Sequence, residues 1–264
     1  MKVRLKTPIT YYGGKQLMLP HILPNIPEHE IYTECFFGGG AVFFAKEPVP
    51  VEVINDRNGE VINFYKVLQM DFWKLNDMIQ STLHSREMYY DAQVVYNSPH
   101  LFDDIRRAWA FWILTNQGFS AKIGAWGYDK RGATMVKRLA TRKSEITIAL
   151  RNRLENVQIE CNDALRVIES RDDEKAFHYV DPPYFNSHQG HYSGYTESDY
   201  RNLLDLLSRL KGRFLQSSYW SDVLGEYLKR CGWHMLTFDK PVTVGTKKQK
   251  RKVEVLVANY PIQK

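Results

Sequence analysis

EIYTECFFGGGAVFFAKEPVPVEVINDRNGEVINFYKVL, residues 30–68, decides the fold. EIYTEC (30–35) reads as a strand that runs into Gly38, Gly39 and Gly40, with a helix beyond them. VEVI (51–54) is a second strand, ended by Asn55 and Asp56. In GEVINFYKVL (59–68) the apolar residues Val61, Ile62, Tyr65 and Leu68 recur at helical spacing. Strand, glycine turn, helix, strand, acid, helix is the opening of a doubly wound α/β sheet.

Outward from that stretch the pattern changes and then returns. Residues 1–29 are rich in turn formers, with Pro8, Gly13, Gly14, Pro20, Pro24 and Pro27. From 69 to 151 the chain reads as an inserted, mostly helical lobe. FWKLNDMIQSTL (72–83) and DDIRRAWAFWILTNQ (103–117) are helical, and NQGFSAKIGAWGYDKRG (116–132) is a glycine- and aromatic-rich loop or hairpin. TMVKRLATRKSEITIALRNRL (134–154) is a basic helical stretch. Alternation resumes at VQIECND (157–163), with strands at FHYV (177–180) and FLQSSY (214–219). Helices follow at SDYRNLLDLLSRL (198–210) and VLGEYLKRCG (223–232). WHMLTF (233–238) and VEVLVANY (253–260) close the sheet as a β-hairpin, with KKQKRK (247–252) in the connection. The expected organisation is a Rossmann-like sheet domain from 1–68 and 152–264, with helices on both faces and the lobe 69–151 inserted.

Bulk properties narrow the class. A chain of 264 residues suits one large domain, or one domain with an inserted lobe. No apolar run is long enough to cross a bilayer, and the N-terminus lacks the apolar core of a signal peptide. Cys35, Cys161 and Cys231 show no metal-ligand spacing and cannot all pair, which fits a reducing cytoplasm. The net charge is +6 and permits a polyanionic partner. Nine of the residues from Lys122 to Arg153 are Lys or Arg, against two acids, Asp129 and Glu145. Solvated surface is the plain alternative for such runs.

Three motifs carry chemistry. The glycines of ECFFGGGAVFF (34–44) stand after a strand and before a helix, where backbone can approach a ligand closely. The third glycine of a dinucleotide fingerprint is Phe43 here. Lys15 after Gly13-Gly14 does not make a P-loop, since Gln16 follows and the upstream glycine is missing. A tight packing turn is the alternative. Asp56 stands about eighteen residues after Gly38, where a nucleoside-binding sheet keeps the acid that takes the ribose hydroxyls. An Asx turn or helix cap in NDRN is its alternative. DPPY (181–184) ends a hydrophobic strand on an acid and two prolines. The Asp181 carboxylate and the Pro182 carbonyl are a fixed pair of acceptors, suited to the two N–H donors of an exocyclic amine. Such a pair biases a conjugated amine towards a nucleophilic geometry, and Tyr184 offers a face for an extruded base. A proline-stiffened loop with a capping aspartate is the alternative.

The ordered set YYGGK (11–15), ECFFGGGAVFF (34–44), INDRNGEVINFY (54–65), CNDAL (161–165) and DPPY (181–184) resembles the adenine-specific DNA methyltransferases, in particular the group that includes the GATC-methylating enzymes. YTESDYRNLLDLL and the closing VEVLVANY extend the likeness, which covers roughly 1–68 and 152–264. The resemblance implies S-adenosyl-L-methionine as cofactor and S-adenosyl-L-homocysteine as product. It implies that Tyr11 and Lys15 contact the cofactor and that Phe37, Gly38 and Gly40 line its methionine end. Asp56 would hold its ribose and Asp163 its adenine amine. Asp181, beside the bound cofactor, the Pro182 carbonyl and Tyr184 would take the target base, flipped from double-stranded DNA. The lobe 69–151 would read the DNA. Tyr11 stands where near relatives often carry Trp. The hairpin lacks the arginine–tyrosine–asparagine pattern of GATC readers, so a site other than GATC is expected.

The remaining signals are weaker. Lys122, Lys130, Arg131, Arg142 and Lys143 are candidates for phosphate contact. His188 and His191 have no acid or cysteine at ligand spacing, so no metal is expected. Trp109, Phe111 and Trp112 read as lobe core. The reading is therefore an N6-adenine DNA methyltransferase, bacterial or phage-encoded, monomeric, with a cognate restriction endonuclease as an open partner. Its alternatives are methylation of the cytosine N4 amine and a catalytically silent DNA-binding protein on the same scaffold.

Overall fold

The computed structural model describes residues 5–119, 123–185, 194–239 and 253–264. Its seven strands are β1 (Ile31–Glu34), β2 (Val51–Asn55), β3 (Val157–Glu160), β4 (Ala176–Val180), β5 (Arg213–Tyr219), β6 (His234–Asp239) and β7 (Val253–Ala258), in the order β3-β2-β1-β4-β5-β7-β6. β1 pairs in parallel with β2 and β4, and β4 with β5, while β7 runs antiparallel to β5 and β6. The β6–β7 pair is the expected closing hairpin. The mixed α/β class read from residues 30–68 is the observed one. KKQKRK lies outside the described residues.

Register fixes where functional residues leave the sheet. Glu34 faces Ile54 on one side and Tyr179 on the other, and Tyr179 faces Leu215. The carboxyl ends of β1, β2 and β4 therefore form one edge, where Cys35, Asn55 and Asp181 stand. Ligands of open α/β sheets bind outside this edge. β4 is buried along its whole length, as a central parallel strand covered on both faces must be.

The chain forms two compact units. One comprises residues 1–16, 38–48 and 56–161, and the other 17–37, 49–55 and 162–264. The first holds the short helix α2 (Ala41–Ala45), then α3 (Gly59–Met70), α4 (Phe72–Ser81), α5 (Arg86–Asn97), α6 (Asp104–Gln117), α7 (Thr134–Ser144) and α8 (Ile148–Leu154). α6 is its centre, and α3, α4, α5 and α7 pack on it. Trp109, Phe111 and Trp112 are buried there, each at about 1.5–3 kcal/mol of apolar burial. The indole N–H groups of Trp109 and Trp112 donate to Thr82 Oγ1 and the Pro8 carbonyl, so neither is stranded. These aromatics are core residues of the first unit.

The basic stretch 134–154 is helical, as α7 and α8 with a break between them. Ile146 in the break is buried, and Glu145 turns in to bond Lys6 and Arg142. The second unit holds the one-turn helix α1 (Leu19–Ile22), α9 (Ala164–Ser170), α10 (Glu197–Leu207) and α11 (Asp222–Cys231) beside β1, β2 and β4 to β7. Val167, Ile168, Leu203, Leu207 and Leu224 pack with Val180, Phe214 and Val255. Thr196 closes a capping box with Asp199 at the start of α10, and Gly232 at φ +67° ends α11.

Candidate active site

In the first unit the glycine turn is held from three sides. Gly38 has φ +47°, a conformation that favours glycine. A Cβ built there would come within 2.6 Å of Cδ1 of Tyr11, so the Tyr11 ring occupies the space a side chain would need. The Gly38 N–H donates to Asp56 Oδ2 at 2.8 Å, and the Tyr65 hydroxyl donates to the Gly38 carbonyl at 3.1 Å. Asp56 is fully buried, and its Oδ1 accepts the Asn58 N–H at 2.9 Å. The packing turn and the Asx turn weighed as alternatives are therefore both present.

YYGGK is a turn of its own. The Gly14 N–H donates to the Tyr11 carbonyl at 3.1 Å, Gly13 takes φ +79°, and the Lys15 ammonium donates to the Gly13 carbonyl at 2.8 Å. Lys15 is buried. Tyr11, Gly38 and Asp56 are thus one contiguous cluster, with Lys15 folded onto the turn that carries Tyr11.

In the second unit the Phe37 N–H donates to the Asn55 carbonyl at 3.0 Å. The Asn55 side chain donates to the carbonyls of Cys35 and Asn162 and accepts the Asn162 N–H at 2.8 Å. One amide thus ties the ends of β1 and β2 to the residue before Asp163. Asp163 caps α9, its Oδ1 accepting from the backbone of Leu165 and Arg166. Its Oδ2 has no hydrogen-bond partner among the described residues.

Asp181 follows β4 directly and is half-buried, with Pro182 buried beside it. The Tyr184 hydroxyl donates to Asp181 Oδ1 at 3.2 Å. The Tyr184 and Tyr219 rings lie 4.4 Å apart at 57°. Burial, and then the Asp181 charge, pushes the Tyr184 hydroxyl well above its usual range. Tyr184 therefore stays protonated and remains a donor to Asp181. The sequence reading gave Tyr184 only a stacking face; its hydroxyl is an additional feature.

The DNA-facing candidates divide. Lys130 and Arg131 are exposed. Arg142 donates to Glu145 at 2.8 Å, and the Lys143 ammonium to the Gln80 carbonyl at 2.7 Å. Lys122, His188 and His191 lie outside the described residues. Among the described residues no group of acids, histidines and cysteines could hold a metal, and no helix is long and apolar enough to cross a membrane. Sequence reasoning missed the roles of Tyr65 and Asn55. A tyrosine on the buried stripe of α3 was the available signal, since its hydroxyl must find a partner.

Comparison with known proteins gives a consistent picture. The family model described as D12 class N6 adenine-specific DNA methyltransferase matches residues 11–229. A Type II methyltransferase, M1.LlaDCHI, from Lactococcus lactis subsp. cremoris is 28% identical over 284 residues, covering 98% of this chain and 97% of that one. The DNA adenine methylase of Escherichia coli strain K12 is 23% identical, covering 96% of this chain and 94% of its own. A DNA N-6-adenine-methyltransferase of Escherichia phage P1 is 28% identical over 74% of this chain and 27% of its own.

Proposed function

The chain belongs to the D12 class of N6 adenine-specific DNA methyltransferases, and from that premise we propose how its residues divide the reaction. S-adenosyl-L-methionine, when bound, supplies an electrophilic methyl group on sulfur. The residues present suit it within each unit: in the first, a buried acid at Asp56 beside the glycine turn under Tyr11, and in the second, Asp163, whose Oδ1 caps α9. Asp56 holds the ribose hydroxyls and Asp163 Oδ2 the adenine amine of the cofactor. Tyr11, Lys15, Phe37, Gly38 and Gly40 hold the remainder.

Asp181 and the Pro182 carbonyl accept the two N–H bonds of the target adenine's N6 amine. That draws the nitrogen lone pair out of conjugation and stabilises the positive charge that grows on nitrogen as the N–C bond forms. Tyr184 holds the carboxylate by its hydroxyl and gives the base a ring to lie against. No protein nucleophile would be required: nitrogen would displace the methyl from sulfur, whose bond to it breaks to leave S-adenosyl-L-homocysteine, and the surplus N6 proton would pass by way of the Asp181 carboxylate to solvent. The observation that carries this reading is the end of β4, where a half-buried carboxylate is held by a protonated tyrosine beside a buried proline.

The reading extends to double-stranded DNA, from which the target adenine flips into the DPPY pocket, bound by a single copy of the chain in the cytoplasm. Residues 69–151 serve as the target-recognition region, with Lys122, Lys130 and Arg131 on phosphate. Arg142 and Lys143 would share their present partners with phosphate. The Type II name of the Lactococcus relative supports pairing with a restriction endonuclease. The test is transfer of labelled methyl to duplex DNA. Asp181→Ala should abolish transfer and retain cofactor binding; near-normal turnover in that variant would overturn the role of Asp181.

A further inference from the structure

The first unit contains a cavity of about 270 Å³ of which the reading above uses only Arg142. It is lined by Lys6, Thr7 and Gln16 on one side and by Arg138, Thr141 and Arg142 of α7 with Glu145 on the other. Three cations therefore face one acid. Glu145 is already shared, Oε1 with Lys6 at 2.9 Å and Oε2 with Arg142 at 2.8 Å. Arg138 has no carboxylate partner among the described residues. Among the described residues it hydrogen-bonds the Thr10 hydroxyl, at 3.5 Å, and Thr10 in turn donates to Asn116.

Arg138 is half-buried. Burial, and then the nearby Arg142 charge, lowers its pKa. A partly desolvated guanidinium without a counter-charge is costly, and the same donors become favourable once an anion enters. In the remaining lining the Thr141 hydroxyl already donates to the Lys137 carbonyl at 3.1 Å and the Gln16 amide to Thr7 Oγ1 at 3.5 Å, which leaves the Thr7 hydroxyl and the second amide N–H as further donors. Residues 138 and 142 are one helical turn apart, so both guanidinium groups project from one face of α7.

We propose that this cavity receives a backbone phosphate of the DNA substrate, with Arg138 as its main ligand and Lys6 and Arg142 as supporting cations. The proposal rests on the reading of the chain as a DNA-modifying enzyme and names a contact that reading lacks. Lys6, Thr7 and Gln16 flank YYGGK, so a phosphate here would also brace the segment carrying Tyr11 and Lys15. DNA and cofactor would then favour each other's binding.

The test is binding of a labelled duplex to the full chain, followed by anisotropy across a salt series. Arg138→Ala should weaken binding about tenfold at fixed salt and reduce the log–log salt slope by about 0.9, the loss of one phosphate contact. Glu145→Gln should act in the opposite direction, since it removes the competing charge. Thermal melting identifies a variant that fails to fold, and Glu145→Gln then carries the test alone. Unchanged affinity and slope in Arg138→Ala, or weaker DNA binding in a folded Glu145→Gln, would overturn the proposal. So would an Arg138-dependent affinity for inorganic phosphate with DNA binding untouched, which would mark a site for free anions. Labelled methyl transfer by the wild type separates the two readings. Absence of any transfer breaks the enzymatic premise, whereas transfer with an indifferent Arg138 breaks only this one.

Discussion

The glycine turn and the DPPY turn each hold an acid after a parallel strand, but by different means. Asp56 is fully buried and accepts two backbone N–H groups, at 2.8 and 2.9 Å. Asp181 is half-buried, and Tyr184 reaches it through a side-chain hydroxyl at 3.2 Å. Backbone amides can move only if the turn moves, whereas a tyrosine hydroxyl can shift by side-chain rotation alone. The first arrangement suits a cradle that must keep its shape. The second suits a group whose hydrogen bonds must change while a base enters and a bond forms.

Substitutions that separate shape from chemistry test this contrast. The largest effect is expected from Asp181→Asn, which keeps the side-chain volume and removes the charge. Steady-state turnover should fall by about 10²–10³-fold, the cost of losing one preorganised electrostatic contact, while the melting temperature barely changes. Gly38→Ala should do the reverse and damage structure together with cofactor affinity. It forces a side chain into a left-handed backbone and against Tyr11, at about 1–3 kcal/mol of strain. Calorimetric melting and cofactor titration read both losses; an unaltered melting point would show that the turn is not held as described.

Asp56→Asn comes next. The amide group cannot accept from Gly38 and Asn58 at once, so one buried N–H loses its partner at about 1–3 kcal/mol. Chemical denaturation should show that loss, with cofactor binding weakened in parallel. The smallest effect is expected from Tyr184→Phe, which keeps the ring and loses the donor: about a tenfold drop in turnover, consistent with one hydrogen bond to a charged group. Because burial raises the Tyr184 pKa, its proton is present in the folded chain up to and beyond about pH 10. Above that value the unfolded chain loses its proton first, so this group's contribution to stability declines as pH rises. Wild type and Tyr184→Phe should therefore have parallel pH–rate profiles below about pH 10, and a tyrosine limb confined to the wild type would contradict the assignment.

These contrasts also show how far the sequence reached. The order strand, glycine turn, helix, strand, acid, helix was legible in residues 30–68, because periodicity and glycine placement are local signals. β4 and the closing hairpin were legible for the same reason. The clamp of Tyr65 on Gly38, the tie from Asn55 to Asn162 and the cavity around Arg138 were not, since each joins residues far apart in the chain. Asp56 and Asp163 show a further limit. Asp56 was offered two readings, a local cap or turn and a ligand contact, and Asp163 only the ligand contact, yet a local role is realised in both. A carboxylate has enough lone pairs to serve both, so sequence alone could not separate them.

The central claim is that a carboxylate and a proline carbonyl after β4 prepare the N6 amine of adenine for methylation. Nucleoside mass spectrometry of duplex DNA incubated with labelled donor tests it most directly. The account predicts label in N6-methyladenine with the wild type and essentially none with Asp181→Ala. Label in N4-methylcytosine, or undiminished N6-methyladenine from the variant, would contradict it.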